Sequence, residues 1–402
     1  MTRAVTRFVQ FVVKVSKFCN LRCKYCYEFE ELGRREAMSR EQLLRMYQHI
    51  HDYYVEKDRE QGQRTEIRFI WHGGEPLLLE PAFYWQTFQD QRELFGDRLG
   101  LANIVQTNLT VLDEERIRLL KEGFSQVGVS VDLFGGLRVN IGGRESQPKV
   151  LENMEVLRQA GVRFACITVL TKKNLSRVKE IFRFYEKSGL GFRLLPLFDG
   201  AFDDQHEAYD VSTQEILEAY QTAVDLWMQS DGFVGANPIS DHIQVVLGYL
   251  AQNTPPRYFN KREWTPTLLV NTNGDCYNYG DPYGQPAWCL GNIFTTPLGD
   301  ILTSENAEKS IRALEARLAY NCTRCKYFGS CDGYPIAEDH SNCREVSPEG
   351  IRVCVLEKSL FGHIERRIRE AGLVDESGRL AVGAEQARRL GMREGRQQSE
   401  VY

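Results

Sequence analysis

The amino-acid sequence lacks any apolar run long enough to span a bilayer. It also lacks a good signal peptide, because the apolar stretch after Arg3 and Arg7 is short and no small-residue cleavage site precedes the first cysteines. A basic excess is absent as well: 50 Lys and Arg stand against 55 Asp and Glu, and the net charge of −5 gives no general drive towards nucleic acid or an anionic membrane. We therefore expect a cytoplasmic protein that binds neither nucleic acid nor a membrane.

Cysteine, by contrast, is abundant, with eleven among 402 residues. In the reducing cytoplasm these thiols are not expected to form disulfides, so clustered spacing indicates metal binding. Three cysteines lie at positions 19–26 and seven between positions 276 and 354. The remaining one, Cys166, stands alone in an apolar run, and we expect it to be a buried core thiol.

Strand-like and helix-like segments alternate along residues 11–198. The strand-like segments are 11–16, 66–71, 102–107, 127–132, 164–170 and 192–198, and helical periodicity occupies 80–95, 113–122, 147–159 and 174–188. This alternation predicts right-handed βαβ units and a parallel sheet. Six strands are too few for a closed eight-stranded barrel, so we expect an α/β fold, a partial (β/α)6 barrel with ligands at the carboxyl ends of its strands. Ser39-x-x-Gln42 and Ser212-x-x-Glu215 predict capping boxes, and Gly189 predicts a helix end.

The first cysteine cluster, Cys19-x3-Cys23-x2-Cys26, lies on the loop after the first strand. Three thiolates on one short loop can face one small object, and zinc or a [4Fe–4S] cluster would accept these soft ligands. Zinc would normally want a fourth protein ligand close by, but the neighbouring residues are aromatic and the next histidine is His49. Three protein ligands and one vacancy suit an iron–sulfur cluster whose fourth iron binds something exchangeable.

With Tyr25 before its last cysteine, this motif resembles the signature of the radical S-adenosylmethionine (SAM) superfamily. The resemblance implies that SAM chelates the fourth iron and is cleaved to a 5′-deoxyadenosyl radical that abstracts a substrate hydrogen. The run Trp71-His-Gly-Gly-Glu-Pro76 after the second strand matches the family's Gly-Gly-Glu element, which implies that Gly73, Gly74 and Glu75 bind the methionine amino group. Glycines permit close backbone approach to a ligand, and a carboxylate can accept a hydrogen bond from an ammonium group.

Weaker matches follow the third and fourth strands. Asn108 ends the third strand as in many relatives, and the segment from Ser130 to Asp132 resembles the family's ribose- and carboxylate-binding segment. A Ser or Asp at a strand end could equally be a turn residue or a helix cap. Arg138 or Arg144 resembles the arginine that pairs with the methionine carboxylate, and the sequence does not choose between them. The sequence also assigns no catalytic base.

The second cysteine region, Cys322-x2-Cys325-x5-Cys331 with Cys354 further on, again has metal-binding spacing. Alone it could be a zinc ribbon. Behind a radical SAM core it resembles the SPASM extension, which holds auxiliary [4Fe–4S] clusters. The match is imperfect, because Pro335 stands where the usual fourth cysteine is expected. The remaining cysteines could build a second auxiliary site; they are Cys276, Cys289 and Cys343. The sequence therefore does not decide between one and two auxiliary clusters.

These patterns divide the chain into four predicted segments. We expect a radical SAM partial barrel over residues 1–230, a connecting segment over 231–265 and a small cysteine-rich iron–sulfur C-terminal domain over 266–365. Residues 366–402, rich in Arg, Glu, Gln and Gly, are expected to form a polar tail, either a frayed helix or disordered.

The resemblance is nearest to maturases of ribosomally made peptides. It implies a peptide crosslink, either a carbon–carbon cyclophane or a thioether, with a precursor peptide and an external electron donor such as flavodoxin or ferredoxin as partners. Sulfatase maturases are the alternative; they place an aspartate directly after a hairpin cysteine, whereas Tyr277 follows Cys276 and Leu290 follows Cys289. A small-molecule dehydrogenase and a zinc-stabilised binding protein without catalysis are the further alternatives.

Overall fold

The computed structural model describes residues 6–96, 99–197, 207–230, 235–252, 256–278, 284–334 and 345–381. Its strands are β1 Thr6–Ser16, β2 Arg64–Gly73, β3 Gly100–Thr107, β4 Gln126–Ser130, β5 Ala165–Leu170, β6 Phe192–Pro196, β7 Ala236–Asn237, β8 Thr267–Val270, β9 Asp275–Asn278 and β10 Gly291–Asn292. Its helices are α1 Arg40–Gln61, α2 Pro81–Phe95, α3 Glu114–Glu122, α4 Gln147–Gln159, α5 Val178–Ser188, α6 Thr213–Gln229, α7 Ile239–Ala251, α8 Leu298–Leu302, α9 Glu305–Cys322 and α10 Leu356–Glu370.

All of these strands belong to one sheet, in the order β10-β9-β8-β1-β2-β3-β4-β5-β6-β7. Each strand from β1 to β6 pairs parallel with the next along the chain, so the predicted α/β partial barrel is confirmed. The six predicted β/α units are present, from β1–α1 to β6–α6, and the sheet extends beyond them because the two-residue β7 adds to β6 and β8 adds parallel to the free edge of β1. The barrel sheet therefore continues into the predicted C-terminal domain.

The strands alternate between two packed faces. On the outer face, Phe11 and Phe69 lie against the helices, and Tyr47 of α1 meets Phe69 with ring centroids 5.2 Å apart. On the inner face, one row of register partners crosses five strands and forms a separate apolar cluster: Tyr277, Leu269, Val12, Ile70 and Ile104. This row fills the interior below the carboxyl ends of the strands, which leaves the ends themselves for chemistry.

Local signals set the helix ends as expected. Both capping boxes form, at Ser39 and Ser212, and Gly189 ends α5 in the left-handed conformation. Cys166 is fully buried, as predicted. No helix of the described ranges has the length and hydropathy needed to cross a membrane.

The predicted polar tail begins within a helix. The boundary at residue 366 falls inside α10, whose Ile364 and Ile368 are buried. The chain then turns back, and the amide of Leu380 donates to the carbonyl of Leu250 in α7 over 3.3 Å. Ile364 and Ile368 are four residues apart and therefore share the buried face of α10. Residues 382–402 lie outside the described part of the chain.

Candidate active site

The first cysteine cluster lies on a loop that β1 delivers to the carboxyl edge of the sheet. Backbone hydrogen bonds fix the loop, from Cys19 N to Leu32 O (3.1 Å) and from Cys26 N to Cys23 O (3.0 Å). Cys19 and Cys23 are buried and Cys26 is half-buried. Within the described residues, no three potential ligand side chains already stand in metal-coordinating positions. The case for a metal centre therefore rests on three thiols on one fixed loop.

The electrostatics of the loop disfavour three free thiolates. Burial raises the pKa of Cys19 to about 12, and the negative charge of Glu75 adds to the effect. Burial also raises the pKa values of Cys23 and Cys26, and the Cys23 thiolate would further raise that of Cys26. A bound cation reverses this balance, because a metal deprotonates its thiol ligands outright. The donor set thus fits a centre that brings its own positive charge.

Gly73 and Gly74 bring the end of β2 against this cysteine loop. A Cβ atom at Gly73, whose φ is 126°, would lie 2.2 Å from the carbonyl oxygen of Ser16. A Cβ atom at Gly74 would lie 2.3 Å from the carbonyl oxygen of Phe18. Real side chains do not tolerate such contacts. The amides of Gly74 and Glu75 donate to Ser16 O and Phe18 O over 2.8 and 3.0 Å, so the two glycines hold the loop in place.

Glu75 is buried and its carboxylate accepts three hydrogen bonds. The donors are the amide of Leu77 (2.9 Å), the hydroxyl of Thr107 (2.7 Å) and the amide of Asn108 (2.6 Å). Burial raises the pKa of Glu75, and these three donors oppose the rise. Since a carboxylate offers about four acceptor positions, one remains for a cationic group of a ligand. Glu75 therefore joins β2 to β3 in addition to its expected contact with SAM.

Replacing Glu75 by glutamine is expected to weaken SAM binding about tenfold, because the neutral amide loses a charge-assisted hydrogen bond of roughly 1.5–3 kcal/mol. Equilibrium dialysis of SAM, with iron content measured in parallel, checks this. Thr107→Val is the matched control, since it removes one donor to Glu75 and keeps the carboxylate. Equal affinity in the Glu75→Gln variant would remove Glu75 from the SAM site. Equal losses in both variants would mean that Glu75 acts only by holding the loop.

A second polar group, buried at the ends of β4 and the cysteine loop, contains Tyr25, Asp132 and Arg138. Tyr25 donates to Asp132, and Nη1 of Arg138 donates to the Tyr25 hydroxyl over 3.0 Å and lies 3.5 Å from Asp132 Oδ2. Burial raises the pKa of Asp132, and the charge of Arg138 opposes the rise. Nε of Arg138 is buried and has no hydrogen-bond partner in the described ranges. Arg144 is exposed, so the geometry favours Arg138 for a ligand carboxylate.

The remaining predicted residues complete the rim of the barrel mouth. Nδ2 of Asn108 lies 3.7 Å from the sulfur of Cys19 and donates to Asn20 Oδ1 over 3.0 Å. The hydroxyl of Ser130 accepts a hydrogen bond from Nε2 of Gln106 over 2.8 Å. Hydrogen bonds thus join Glu75 to Asn108 and join Tyr25, Asp132 and Arg138 to one another, whereas Ser130 contacts Gln106 and Arg144 is exposed.

The second cysteine set converges on one cavity. It is lined by Cys322 at the end of α9, by Cys325 and Cys331 on the following loop, and by Cys354 ahead of α10, together with Phe328 and other apolar groups. Burial raises the pKa of Cys331 to about 12 and that of Cys322 to about 11. Four thiols around one mostly apolar cavity match a [4Fe–4S] cluster or a zinc ion in the number and kind of ligands, without standing in coordinating positions in this structure.

The other C-terminal cysteines lie elsewhere. Cys276 is buried in β9 and pairs in register with Gly291, two residues after Cys289. Burial raises the pKa of Cys276, with Cys289 as the next cause, so the two thiols are electrostatic neighbours. Neither lines the four-cysteine cavity. Cys343 lies outside the described residues.

The inward polar residues of β1 and β2 are functional candidates that the sequence analysis missed. Lys14 is buried and forms a 2.8 Å ion pair with Glu28, and its register partner on β2 is His72. A lysine inside the β-branched run of β1 is the signal that could have found this group.

A partial barrel whose mouth holds three cysteines, a glycine cradle and a buried Asp–Arg pair defines an enzyme site for a metal cluster and a zwitterionic ligand. Residues 13–185 match the model of the Radical SAM superfamily. The chain carries a radical SAM domain over these residues and is an enzyme, and that domain implies a [4Fe–4S] cluster and SAM as cofactors. The soft thiols, the open acceptor position on Glu75 and the unpartnered Nε of Arg138 fit these groups.

Known relatives cover most of the chain. They include the serine-type anaerobic sulfatase-maturating enzyme of Bacteroides thetaiotaomicron, 24% identical over 80% of this chain and 81% of that protein. The cysteine-type enzyme of Clostridium novyi is 23% identical over 82% of this chain and 86% of that protein. Among solved structures, anSMEcpe with AdoMet and Cp18Cys peptide aligns with a TM-score of 0.69 at 19% identity, over 91% of this chain and 97% of that one. Streptococcus suis SuiB bound to precursor peptide SuiA aligns with a TM-score of 0.53 at 15% identity, over 87% and 76%.

Proposed function

We propose that this radical SAM enzyme modifies a ribosomally made peptide and forms an intrapeptide crosslink, either a carbon–carbon cyclophane or a thioether. The four-cysteine cavity carries this proposal, because it adds a second potential cluster site to the radical core. Forming one bond between two C–H, N–H or S–H groups removes two hydrogens. SAM-derived radical chemistry takes one as a hydrogen atom, and the other must leave as a proton and an electron. A cluster held by four thiols is a suitable acceptor for that electron.

The residues divide into three groups by proposed role. Cys19, Cys23 and Cys26 would hold the SAM-binding cluster, and Cys322, Cys325, Cys331 and Cys354 would hold one auxiliary cluster. The methionine end of SAM would be held by Gly73, Gly74, Glu75 and Arg138, with Asp132, Tyr25, Asn108 and Ser130 completing the pocket. A second auxiliary cluster would use Cys276, Cys289 and Cys343. The structure describes only the first two of these cysteines, so it supports this site less than the four-cysteine cavity.

The proposed chemistry also indicates the substrate, the electron donor and the cellular location. A precursor peptide would be the substrate, in keeping with the peptides bound in the anSMEcpe and SuiB structures that share this fold. Reductive cleavage of SAM needs a low-potential electron, which flavodoxin or ferredoxin would supply. A cytoplasmic location would keep the eleven thiols reduced. The division into a barrel over 1–230, a connector, an auxiliary domain over 266–365 and a tail is part of the same proposal.

Tandem mass spectrometry tests the crosslink. The anaerobically reconstituted enzyme is incubated with SAM, a strong reductant and peptides encoded by short reading frames beside its gene. We expect a peptide that loses two hydrogens per event and lacks fragment ions between the linked residues. A complete fragment series across the modified residue would overturn the crosslink, because an oxidised but unlinked residue still fragments on both sides.

Sulfatase maturation is the second candidate, favoured by the names of the sequence relatives. It would convert a Cys or Ser of a sulfatase peptide to formylglycine. Sulfatase maturases place an aspartate directly after a hairpin cysteine, but here Tyr277 follows Cys276 and Leu290 follows Cys289. Asp281 is nearby in sequence and lies outside the described residues. Formylglycine in a sulfatase peptide would promote this candidate. Turnover of small molecules alone would favour the dehydrogenase, and a colourless protein that binds zinc would favour the non-enzymatic alternative.

A further inference from the structure

Two successive layers of side chains lie in the barrel interior next to the carboxyl ends of the strands. The lower layer is the apolar row that contains Val12 and Ile70. Side chains two residues further along a strand point to the same face, so Lys14 and His72 lie one layer above that row, and they are register partners on β1 and β2. On the same face of β3 and β4, Gln106 donates to Ser130 over 2.8 Å. A polar layer therefore lies between the apolar floor and the cysteine loop.

The charge in this layer is already compensated. Lys14 forms its 2.8 Å ion pair with Glu28, donates to the hydroxyl of Tyr27 and lies 4.4 Å from the centre of that ring. Both partners come from the segment just after the cysteine loop, so Lys14 ties this segment to the barrel interior. A compensated layer favours neutral polar ligands over a free carboxylate, which would have to compete with Glu28.

His72 presents a hydrogen-bond donor to the same space. Its Nδ1 accepts from the amide of Gly73 over 2.8 Å. Burial, together with the charge of Lys14, lowers the pKa of His72 to about 4, so the ring is neutral near pH 7. In the neutral ring with Nδ1 as acceptor, Nε2 carries the proton. Nε2 has no hydrogen-bond partner among the residues that the structure describes, and the side chain is half-buried.

We propose that His72 binds the peptide substrate, donating a hydrogen bond from Nε2 to a carbonyl oxygen next to the reacting residue. This rests on the proposed peptide function and adds a substrate-positioning residue to it. Three observations support it: the donor is neutral and has no partner among the described residues, the described charges of Lys14 and Glu28 offset each other, and His72 directly precedes the Gly73–Gly74 cradle. The methionine end of SAM would have Glu75 and Arg138 as partners, so it does not need His72.

A pair of variants tests the role of His72. His72→Leu removes the donor, and His72→Gln keeps an N–H donor on a side chain of similar length. The dissociation constants of SAM and of a fluorescein-labelled peptide encoded beside the gene are measured with the reconstituted holoenzyme. The ratio of 5′-deoxyadenosine to modified peptide is measured in turnover. One neutral hydrogen bond corresponds to about a two- to tenfold loss of affinity.

We expect the Leu variant to lose that factor for the peptide and less than twofold for SAM, and to form more 5′-deoxyadenosine per modified peptide. The Gln variant is expected to recover most of the peptide affinity. Wild-type peptide affinity and coupling in the Leu variant would overturn the role of His72, as would a loss confined to SAM. A wild-type enzyme that binds no peptide would overturn both proposals, whereas peptide binding that depends on His72 without crosslinked product would overturn only the crosslink.

Discussion

Replacing Cys19, Cys23 and Cys26 together by alanine is expected to abolish reductive cleavage of SAM to 5′-deoxyadenosine. The three thiols share one loop, and burial disfavours their thiolates unless a metal centre compensates the charge. Without these thiols, neither the cluster nor its exchangeable coordination position can form. The measurement is the yield of 5′-deoxyadenosine from anaerobically reconstituted protein given SAM and a strong reductant.

Cys166→Ala is the matched control, because Cys166 is a buried cysteine of β5 that lies away from both cysteine sets in sequence. It makes the same chemical change in the barrel and should keep most of the activity. Turnover in the triple variant at the level of the Cys166→Ala protein would disprove the assignment of the cluster to this loop.

Local patterns were sufficient for much of the architecture and for placing the three cysteines of the first predicted cluster site on one loop. Cys19, Cys23 and Cys26 lie within eight residues of one another on one loop. Residues this close in sequence are also close in space, so the sequence alone places all three together. The capping boxes at Ser39 and Ser212 are equally local, because the side chains involved are three residues apart. The parallel order of the strands followed from their alternation with helices, since βαβ units leave few topologies to consider.

Contacts between distant parts of the chain were not accessible in this way. Choosing Arg138 over Arg144 required knowing which arginine turns inward to Asp132, and both lie in one irregular segment. The role of Gly74 was expected to be close approach to a ligand, yet its nearest atoms belong to the cysteine loop, more than fifty residues earlier.

The interior layer was missed for the same reason. The surroundings of Lys14 cannot be predicted from β1 alone, because His72 comes from β2 and Glu28 comes from the loop after Cys26. The short β7 was missed because two residues carry no periodicity. In each case the missing information is a pairing across the sheet, which no single segment contains.

Replacing Cys325 and Cys331 together by alanine is expected to abolish crosslinked product while 5′-deoxyadenosine still forms. Both cysteines line the four-cysteine cavity, and two remaining thiols cannot hold a [4Fe–4S] cluster. Hydrogen abstraction needs only the cysteine loop, but the second half of bond formation needs an acceptor for one electron. The substrate radical should then be quenched or trapped, so that 5′-deoxyadenosine accumulates without peptide that has lost two hydrogens.

The iron content of complementary variants decides whether the two sets load independently. The Cys19/Cys23/Cys26→Ala protein should keep the iron and sulfide of the auxiliary site and its broad absorbance, because Cys322 and its partners lie on α9, the loop after it and the segment before α10. The Cys325→Ala/Cys331→Ala protein should keep the cluster of the first cysteine loop, and Cys166→Ala, which changes a buried cysteine of β5 that does not line the cavity, should keep the iron of the wild type. A triad variant that is colourless and contains zinc would assign the C-terminal site to a structural metal. Crosslinking would then need another electron acceptor, since zinc has no redox chemistry at a protein site.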